Sequence, residues 1–310
     1  KGTEVDLSGG WHDAGDFNKY VGYAYPPVMI LLSLYMENPA FWNELKLDLP
    51  GVESSNAIPD ILDELKWGLD WVLQMQKPDG SVRHLVSSPS EGFTYSFAKA
   101  SEDDAVRLYE DASGQATCAA LSMYAYGAYV FNEAGFTEYA KILEKAASDA
   151  WRWTKTHTDK LSQSPPNYQA AGILTASHGY TYGDTSGLAH RVEAACYLHL
   201  LTGNPDYLEF SKNHFEAATG RIIHSHDHAL YTHNLLVYAN DPGADPEIRS
   251  KFLDGFANHW RSENVLGSYN HNRPGDSRWG WNGNRSYDAY HAMLLAQLDG
   301  ATESDVEHSE

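Results

Sequence analysis

The sequence has little cysteine, and this shortage limits how the protein can be held together. Its 310 residues include two cysteines, Cys118 and Cys196, so a disulfide framework is excluded. Both lie in apolar stretches with helical spacing, where we expect free thiols packed as small hydrophobic groups, although one bridge between them stays open. Neither has the short Cys/His spacing of a structural zinc site.

Positive charge and long apolar runs are scarce as well. The chain has 22 Lys and Arg against 42 Asp and Glu, a formal net charge of −20. Nucleic acids and anionic membranes bind cationic surfaces, so we expect neither as a partner. No apolar run approaches the roughly 18 residues that a membrane-spanning helix needs. Residues 1–10 resemble neither a signal peptide nor a natural start, which indicates a mature secreted chain or an excised domain.

Aromatic residues and glycine, in contrast, are abundant. The chain contains 20 Tyr, 10 Phe, 9 Trp and 25 Gly, a composition that argues against disorder. Flat rings can stack on sugar faces while carboxylates bind hydroxyl groups, so a carbohydrate-binding protein is one explanation. An acidic globular protein with a Trp-rich core is the other. The sequence has no Gly-x-Ser-x-Gly elbow, dinucleotide fingerprint or phosphate loop, so those chemistries have no support.

Helical spacing of apolar residues dominates the chain and predicts an all-α protein. The clearest helix covers residues 58–76, with carboxylates at its N-terminal end and the turn Pro78-Asp-Gly80 after it. Residues 113–132 predict an Ala-rich helix whose tyrosines, such as Tyr126, belong to the core. Further helices are predicted over residues 28–35, 137–154, 190–202, 205–217, 230–240, 245–260 and 286–298.

Long loops separate these helices, over residues 80–112, 155–189 and 260–285. Loops longer than about a dozen residues are uncommon unless they are functional. Helix–loop–helix repetition with the loops gathered on one side predicts an (α/α) toroid, a ring of inner and outer helices. No Pro- or Ser-rich linker divides the chain, so we expect residues 1–300 to form one domain. The acidic residues 301–310 are predicted to be a disordered tail.

The stretch Ser8-Gly-Gly-Trp-His-Asp-Ala-Gly-Asp-Phe-Asn-Lys-Tyr20 carries the strongest chemical signal. Its glycines allow a tight loop whose backbone approaches a ligand closely. Inverting hydrolysis of a glycosidic bond needs a base and an acid roughly 6.5–9.5 Å apart. Asp13 and Asp16 share one short loop, so we expect both to hold one water, with one acting as base and the other orienting it. A capping Asp-Gly turn or a cation site of oxygen ligands is the alternative.

SGGWHDAGDFNKYV resembles the signature loop of glycoside hydrolase family 9, the inverting cellulases. Residues 56–76, followed by Lys-Pro-Asp-Gly-Ser81, resemble the family's next helix and turn. Similar segments follow in order, over residues 146–153, 191–203, 279–282 and 292–295. The resemblance implies a six-hairpin (α/α) toroid that hydrolyses β-1,4-glucosidic bonds in cellulose or related β-glucans with inversion, as an endoglucanase. It also implies a secreted monomer that requires no cofactor.

The resemblance assigns roles to individual residues as well. Asp16 matches the family's catalytic base, and Asp13 matches the carboxylate that helps to hold the attacking water. Trp279 matches the aromatic platform that lines the family's sugar cleft, and His84 lies near a family position that contacts glucose. His12 stands where the family usually has tyrosine. The implied substrate-binding residues are Trp279, His84, Trp11 and His12.

The general acid is the first departure from the family pattern. Family members carry an Asn-Glu pair after the Trp-Gly-Ser-Asn segment, and its Glu is the general acid. No such pair follows Trp279 here: Glu263 stands in Ser-Glu-Asn, and Glu303, Glu307 and Glu310 lie in the tail. We therefore expect the acid, and the helices that close the toroid, in a segment outside this sequence.

Metal sites are the second departure. The family often binds structural calcium through an Asp-Glu pair where this chain has Ala189-His190, which are poor ligands for calcium. Asp184, Ser186 and Gly187 could still contribute. A separate cluster of histidines could ligate zinc or copper, or could bind sugar hydroxyls as a polar loop at the cleft. This cluster consists of His224, His226, His228 and His233 around Asp227.

Three alternatives to the endoglucanase stay open at this point. The first is an exo-acting β-glucosidase or glucosaminidase of the same family, since loop lengths at the cleft ends decide the mode of attack. The second is a non-catalytic or truncated relative that binds glucan without cleaving it. The third is a structural α-toroid with no ligand.

Overall fold

The computed structural model describes residues 4–13, 17–51, 53–87, 102, 106–161, 187–223, 230–262, 292–298 and 301–307. Helices dominate this part of the chain, as predicted. They are α1 (Val21–Glu37), α2 (Pro39–Glu44), α3 (Asp60–Met75), α4 (Gly114–Glu133), α5 (Thr137–Thr156), α6 (Leu188–Thr202), α7 (Pro205–Ile222), α8 (Leu230–Asn240), α9 (Pro246–Ser262), α10 (residues 292–297 in its described part) and α11 (Glu303–Glu307).

The helices form two layers. Inner helices α1, α4, α6 and α8 contact one another, and outer helices α3, α5, α7 and α9 pack against them. Helix α4 is buried along nearly its whole length, because its apolar and small residues face neighbours on every side. The outer helix α5 is amphipathic and turns a stripe of alanines, Leu143 and Trp151 inward. The described helices thus enclose one main hydrophobic core.

Within the described ranges, five short strands occupy the segments that flank the helices. They are β1 (Lys19–Tyr20), β2 (Val82–Arg83), β3 (Leu85–Ser87), β4 (Leu108–Tyr109) and β5 (Ala112–Ser113). One antiparallel sheet has the order β1-β3-β4 and the other pairs β2 with β5. Because Lys19 is opposite Val86, the first sheet fastens the chain just before α1 to the predicted 80–112 loop.

The predicted disorder of the acidic tail is wrong for residues 303–307, which form α11. Thr302 and Asp305 cap this helix reciprocally. The Asp305 amide donates to the Thr302 hydroxyl at 3.2 Å, and the Thr302 amide donates to the Asp305 carboxylate at 2.7 Å. The guanidinium of Arg261 on α9 also donates to Asp305, at 2.7 Å. These contacts order the segment despite its charge; residues 308–310 lie outside the described residues.

Both cysteines are buried thiols, and no disulfide joins them. Cys118 on α4 lies against Gly187 at the start of α6. Cys196 on α6 donates from its thiol to the Ser211 hydroxyl of α7 at 3.6 Å. Among the described helices, none combines the length and the apolar character that crossing a membrane requires.

Candidate functional site

We call residues 10–18, which carry Asp13 and precede β1, the site loop. The amide of Asp13 donates to the carbonyl of Asn18 at 2.8 Å, which brings the two ends of the Asp13–Asn18 segment together. Phe17 has a φ of 54°, a left-handed conformation that is costly for a bulky residue. Residues 14–16 lie outside the described residues, so the role of Asp16 stays a prediction.

Lys19 holds the strand to the preceding loop from inside the protein. Its side chain is 8% exposed, and its ammonium group donates to the carbonyl oxygens of Leu7 and Gly9 at 2.7 Å each. The ammonium also lies 5.3 Å from the centroid of the Trp71 ring. Burial lowers the pKa of Lys19 to about 8. The charge of Lys19 is therefore used to fix backbone, and the backbone that it fixes leads directly into the site loop.

Two glycines allow tryptophan rings to pack tightly beneath the site loop. A Cβ on Gly68 of α3 would lie 2.5 Å from the ring of Trp11. A Cβ on Gly10, whose φ is +69°, would lie 2.6 Å from Trp71. The indole N–H of Trp11 donates to the carboxylate of Glu64 at 2.6 Å. Trp11 is thus held by packing and by a hydrogen bond, with part of its ring still exposed.

A cavity of about 90 Å³ lies between the site loop and the first turns of α1. A volume of this size has room for several water molecules. Asp13 and His12 are exposed residues at its rim, so a carboxylate is in place to hold a water. The residues that line the cavity are Trp11, His12, Asp13, Tyr20, Tyr23, Ala24 and Pro27.

His84 lies in the connection between β2 and β3 and is 4% exposed. Its Nδ1 is 3.1 Å from the hydroxyl of Ser113, which also accepts from the amide of Ala116 and caps α4. The carbonyl of His84 accepts from the amide of Val21 at 3.1 Å. His84 therefore joins the N-termini of α1 and α4 beside the site loop.

Glu110, between β4 and β5, adds a second unusual ionisable group to this region. It is 5% exposed, and its amide donates to the carbonyl of Leu85 at 3.1 Å. Burial raises the pKa of Glu110 to about 7. A carboxyl of this kind carries a proton over a wider pH range than an ordinary glutamate does.

The structure describes only some of the residues that were considered as metal ligands. His190 is 6% exposed, and its ring meets Tyr25 edge-on at 4.6 Å. Within the described ranges, no three His, Cys, Asp or Glu residues lie where they could hold one metal ion. His233 is 2.8 Å from Glu37 through its Nε2, and so links α8 to the end of α1. The metal candidates outside the described residues are Asp184, Ser186, His224, His226, Asp227 and His228. Trp279, the predicted sugar platform, lies outside them as well.

The sequence analysis missed three residues that build the site. Lys19, Asn18 and Ser113 are buried polar residues that bind the site loop or its neighbours. Asn18 donates from its side-chain amide to the hydroxyl of Tyr20 at 2.8 Å. A signal for Lys19 was available, because it is the only cation between Ser8 and Tyr20. Ser113 precedes an apolar helix in the manner of an N-cap.

Comparison with known proteins assigns the chain to a family. The family model described as glycosyl hydrolase family 9 matches residues 1–308. A xyloglucan-specific endo-β-1,4-glucanase of Bacteroides ovatus is 33% identical over 214 residues, which cover 67% of this chain and 35% of that protein. Endoglucanase D of Acetivibrio thermocellus is also 33% identical, over 68% of this chain and 32% of its own.

Solved structures extend the similarity to the whole chain. A metagenome-derived family 9 endoglucanase superposes with a TM-score of 0.80 at 26% identity, over 99% of this chain and 54% of its own. The family 9 endoglucanase J30 gives a TM-score of 0.77 at 26% identity, over 100% and 56%. This likeness confirms the predicted (α/α) toroid. The chain spans about a third of the length of the curated relatives and about half that of the solved ones, and it belongs to glycosyl hydrolase family 9.

Proposed function

We propose that this protein hydrolyses β-1,4-glucosidic bonds in cellulose or related β-glucans by single displacement with inversion. The observation that carries the proposal is membership of family 9 together with a site loop that matches the family signature and presents Asp13 at a cavity. Relatives named endoglucanases support an endo-acting enzyme. We further propose that residues 1–300 belong to one catalytic domain, which the segment with the general acid completes, and that the enzyme is a secreted monomer.

In the proposed mechanism Asp16 removes a proton from a water that Asp13 holds. The water attacks the anomeric carbon from the face opposite the leaving group, and the glycosidic oxygen leaves with a proton from a general acid. An inverting geometry places that acid roughly 6.5–9.5 Å from the base. We propose that the acid is a glutamate in a segment outside this sequence. The reaction needs no cofactor, and Trp11, His12, His84 and Trp279 are the proposed sugar contacts.

The decisive experiment measures the reducing ends that the full-length protein, including the segment proposed to carry the acid, releases from a soluble β-glucan. We expect Asp16→Asn to lower kcat by about 10²-fold or more, because a positioned general base contributes a factor of this order. Asp13→Asn should lower kcat less. Asp6→Asn is the matched control, since Asp6 is an exposed carboxylate of the same segment that accepts from the Ser8 amide at 3.0 Å. The newly formed end should have the α configuration, read by NMR directly after cleavage; a β product would contradict inversion.

A second candidate function is glucan binding without cleavage. It is favoured by Trp11, which is held by Gly68 and Glu64 and lines the cavity, where its ring could contact a sugar without any bond being cleaved. A full-length protein, including the segment proposed to carry the acid, that binds cello-oligosaccharides but releases no reducing ends would support the binder and contradict the enzyme. A chain that does neither would contradict both candidates.

A further inference from the structure

A buried carboxylate lies where the four inner helices meet. Glu193 of α6 is completely inaccessible to solvent. Its Oε2 accepts from the hydroxyl of Tyr25 on α1 at 2.9 Å and from the hydroxyl of Ser122 on α4. Its Oε1 accepts from the side-chain amide of Asn234 on α8 at 2.6 Å. One side chain therefore connects all four inner helices.

A second layer of hydrogen bonds ties the same helices again. The hydroxyl of Ser33 on α1 donates to Oδ1 of Asn234 at 2.8 Å and lies 2.9 Å from the hydroxyl of Tyr126 on α4. The hydroxyl of Tyr197 on α6 donates to the backbone carbonyl of Asn234. Both polar atoms of the Asn234 side-chain amide therefore have a partner, Ser33 on the oxygen and Glu193 on the nitrogen. This fixed amide leaves Glu193 little freedom to change partners.

The charge environment of Glu193 is unusual because hydrogen bonds alone support the carboxylate. In the part of the chain that is described, no lysine or arginine pairs with it; Arg191 of the same helix lies instead 4.6 Å from the Phe210 ring. His190, one turn earlier in α6, meets the ring of Tyr25 edge-on at 4.6 Å, and α8 contributes only an amide. The other titratable groups that face Glu193 are tyrosine hydroxyls and a thiol. They are Tyr25 of α1, Tyr126 of α4, and Cys196 and Tyr197 of α6.

The first turns of α1 lack some of the backbone hydrogen bonds of a regular helix, so a hydrogen bond from a side chain can stabilise them. Pro26 and Pro27 lie inside this helix and have no backbone N–H, so two hydrogen bonds of the helical ladder cannot form. Those bonds would have gone to the carbonyls of Gly22 and Tyr23, at the end of the helix that adjoins the site loop. Tyr25 lies between these carbonyls and the prolines, and its hydroxyl is anchored by Glu193.

We propose that Glu193 is a positioning residue that, through Tyr25, fixes the first turns of α1 and the attached site loop against the other inner helices. The opposite side of these turns, at Tyr23 and Ala24, lines the cavity at Asp13. The consequence for catalysis rests on the proposed function, whereas the positioning itself does not. Burial raises the pKa of Glu193 to about 7, so the carboxyl that accepts the Tyr25 hydrogen bond gains or loses its proton near neutral pH.

The test compares Tyr25→Phe and Glu193→Gln with Tyr124→Phe. Tyr124 is a matched control, because its buried hydroxyl donates to the carbonyl of Val72 at 2.7 Å outside this network. Hydrogen exchange by mass spectrometry is followed in peptides that contain Asp13 and Val21, whose amides close the site loop and the start of α1. We expect about tenfold faster exchange there in Tyr25→Phe, since a hydrogen bond to a charged group is lost. Unchanged exchange, or an equal change in Tyr124→Phe, would overturn the proposal.

Two further measurements separate this proposal from the proposed function. After correction for intrinsic rates, exchange in these peptides should change between pH 5 and pH 8 in the parent and change less in Glu193→Gln, where Glu110 and Lys19 still titrate. An equal change in the two proteins contradicts the role of Glu193. Affinity for a soluble cello-oligosaccharide should be weaker in Tyr25→Phe than in Tyr124→Phe. If the parent binds none, the proposed function fails, and the exchange result alone decides the positioning role.

Discussion

Gly10 illustrates how strongly single residues of the site loop are constrained. Its φ is +69°, and a Cβ there would lie 2.6 Å from Trp71. Gly10→Ala should therefore lower the free energy of unfolding by more than about 2 kcal/mol, combining left-handed strain with a clash. Gly135→Ala isolates the strain, because Gly135 has a φ of +86° and nothing within 4 Å of a Cβ. Denaturant unfolding of both variants measures the difference, and equal losses would contradict the clash.

Lys19 is the second residue with a predictable effect. Lys19→Met keeps most of the buried stem but removes two hydrogen bonds, to the carbonyls of Leu7 and Gly9. We expect faster proteolytic cleavage near residues 7–10 and weaker cello-oligosaccharide binding, because the loop that leads to Asp13 loses its anchor. Lys141→Met is the control, since Lys141 is an exposed lysine paired with Glu138 on α5. Equal cleavage rates in the two variants would rule out an anchoring role.

At the scale of elements, the N-terminus of α4 has both a stabilising and a site-related function. Ser113→Ala should cost about 1 kcal/mol of stability through loss of the cap, and it also removes a partner of His84. Asn204→Ala removes a comparable cap from α7, where the Asn204 side chain accepts from the Asp206 amide at 3.0 Å.

Thermal unfolding and glucan binding distinguish these two effects of Ser113. Both variants should lose similar stability, but only Ser113→Ala should weaken cello-oligosaccharide binding. Weaker binding in both variants would mean that loss of stability alone explains the result, and that His84 does not need its hydroxyl partner.

The sequence predicted helices far better than the small elements between them. Helical spacing over residues 58–76 found α3 within two residues of its observed start, with Pro59 as the N-cap. Helix α1 begins at Val21, well before the predicted residue 28. The prediction starts late because Pro26 and Pro27 normally break helices, whereas packing holds them inside this one. The strands have two or three residues each, too few for alternation to show.

The site was predictable in its loop and not in its supports. Asp13 and its glycines stand in a contiguous motif, so the sequence alone indicates a ligand-binding loop. His84, Glu110 and Glu193 come together with it only through strand pairing and helix packing between residues far apart in the chain. The burial of these side chains, which raises the pKa of Glu110 and of Glu193, has no local signature.

At the scale of the whole molecule, buried carboxyl groups make stability depend on pH. Burial raises the pKa of Glu193 and of Glu110 to about 7, above the ordinary value near 4.5. The native protein therefore holds protons that the unfolded chain has released, and stability falls as pH rises from about 4.5 to about 7. Over this pH range each group lowers the free energy of unfolding by up to about 3 kcal/mol, because one pKa unit corresponds to about 1.4 kcal/mol.

A thermal melting series between pH 4 and pH 9 tests this pH dependence. The melting temperature of the parent should fall toward neutral pH, and the double variant Glu110→Gln, Glu193→Gln should have a flatter profile. At the acid end the opposite trend is expected in both proteins. Lys46 holds the pKa of Asp60 below its usual range, so that contribution is lost as pH falls. A parent profile that rises from pH 5 to pH 7 would contradict the assignment.

The buried cysteines give the toroid two built-in reporters of opening. Cys118 is covered by the start of α6 at Gly187, and Cys196 by Ser211 of α7. A thiol reagent can reach Cys118 only when the helices packed around it, α4, α5 and α6, part locally, and Cys196 only when α6 parts from its neighbours in the core. Because the chain has no other thiol, labelling rates at the two positions would measure how often these helices part in the native protein.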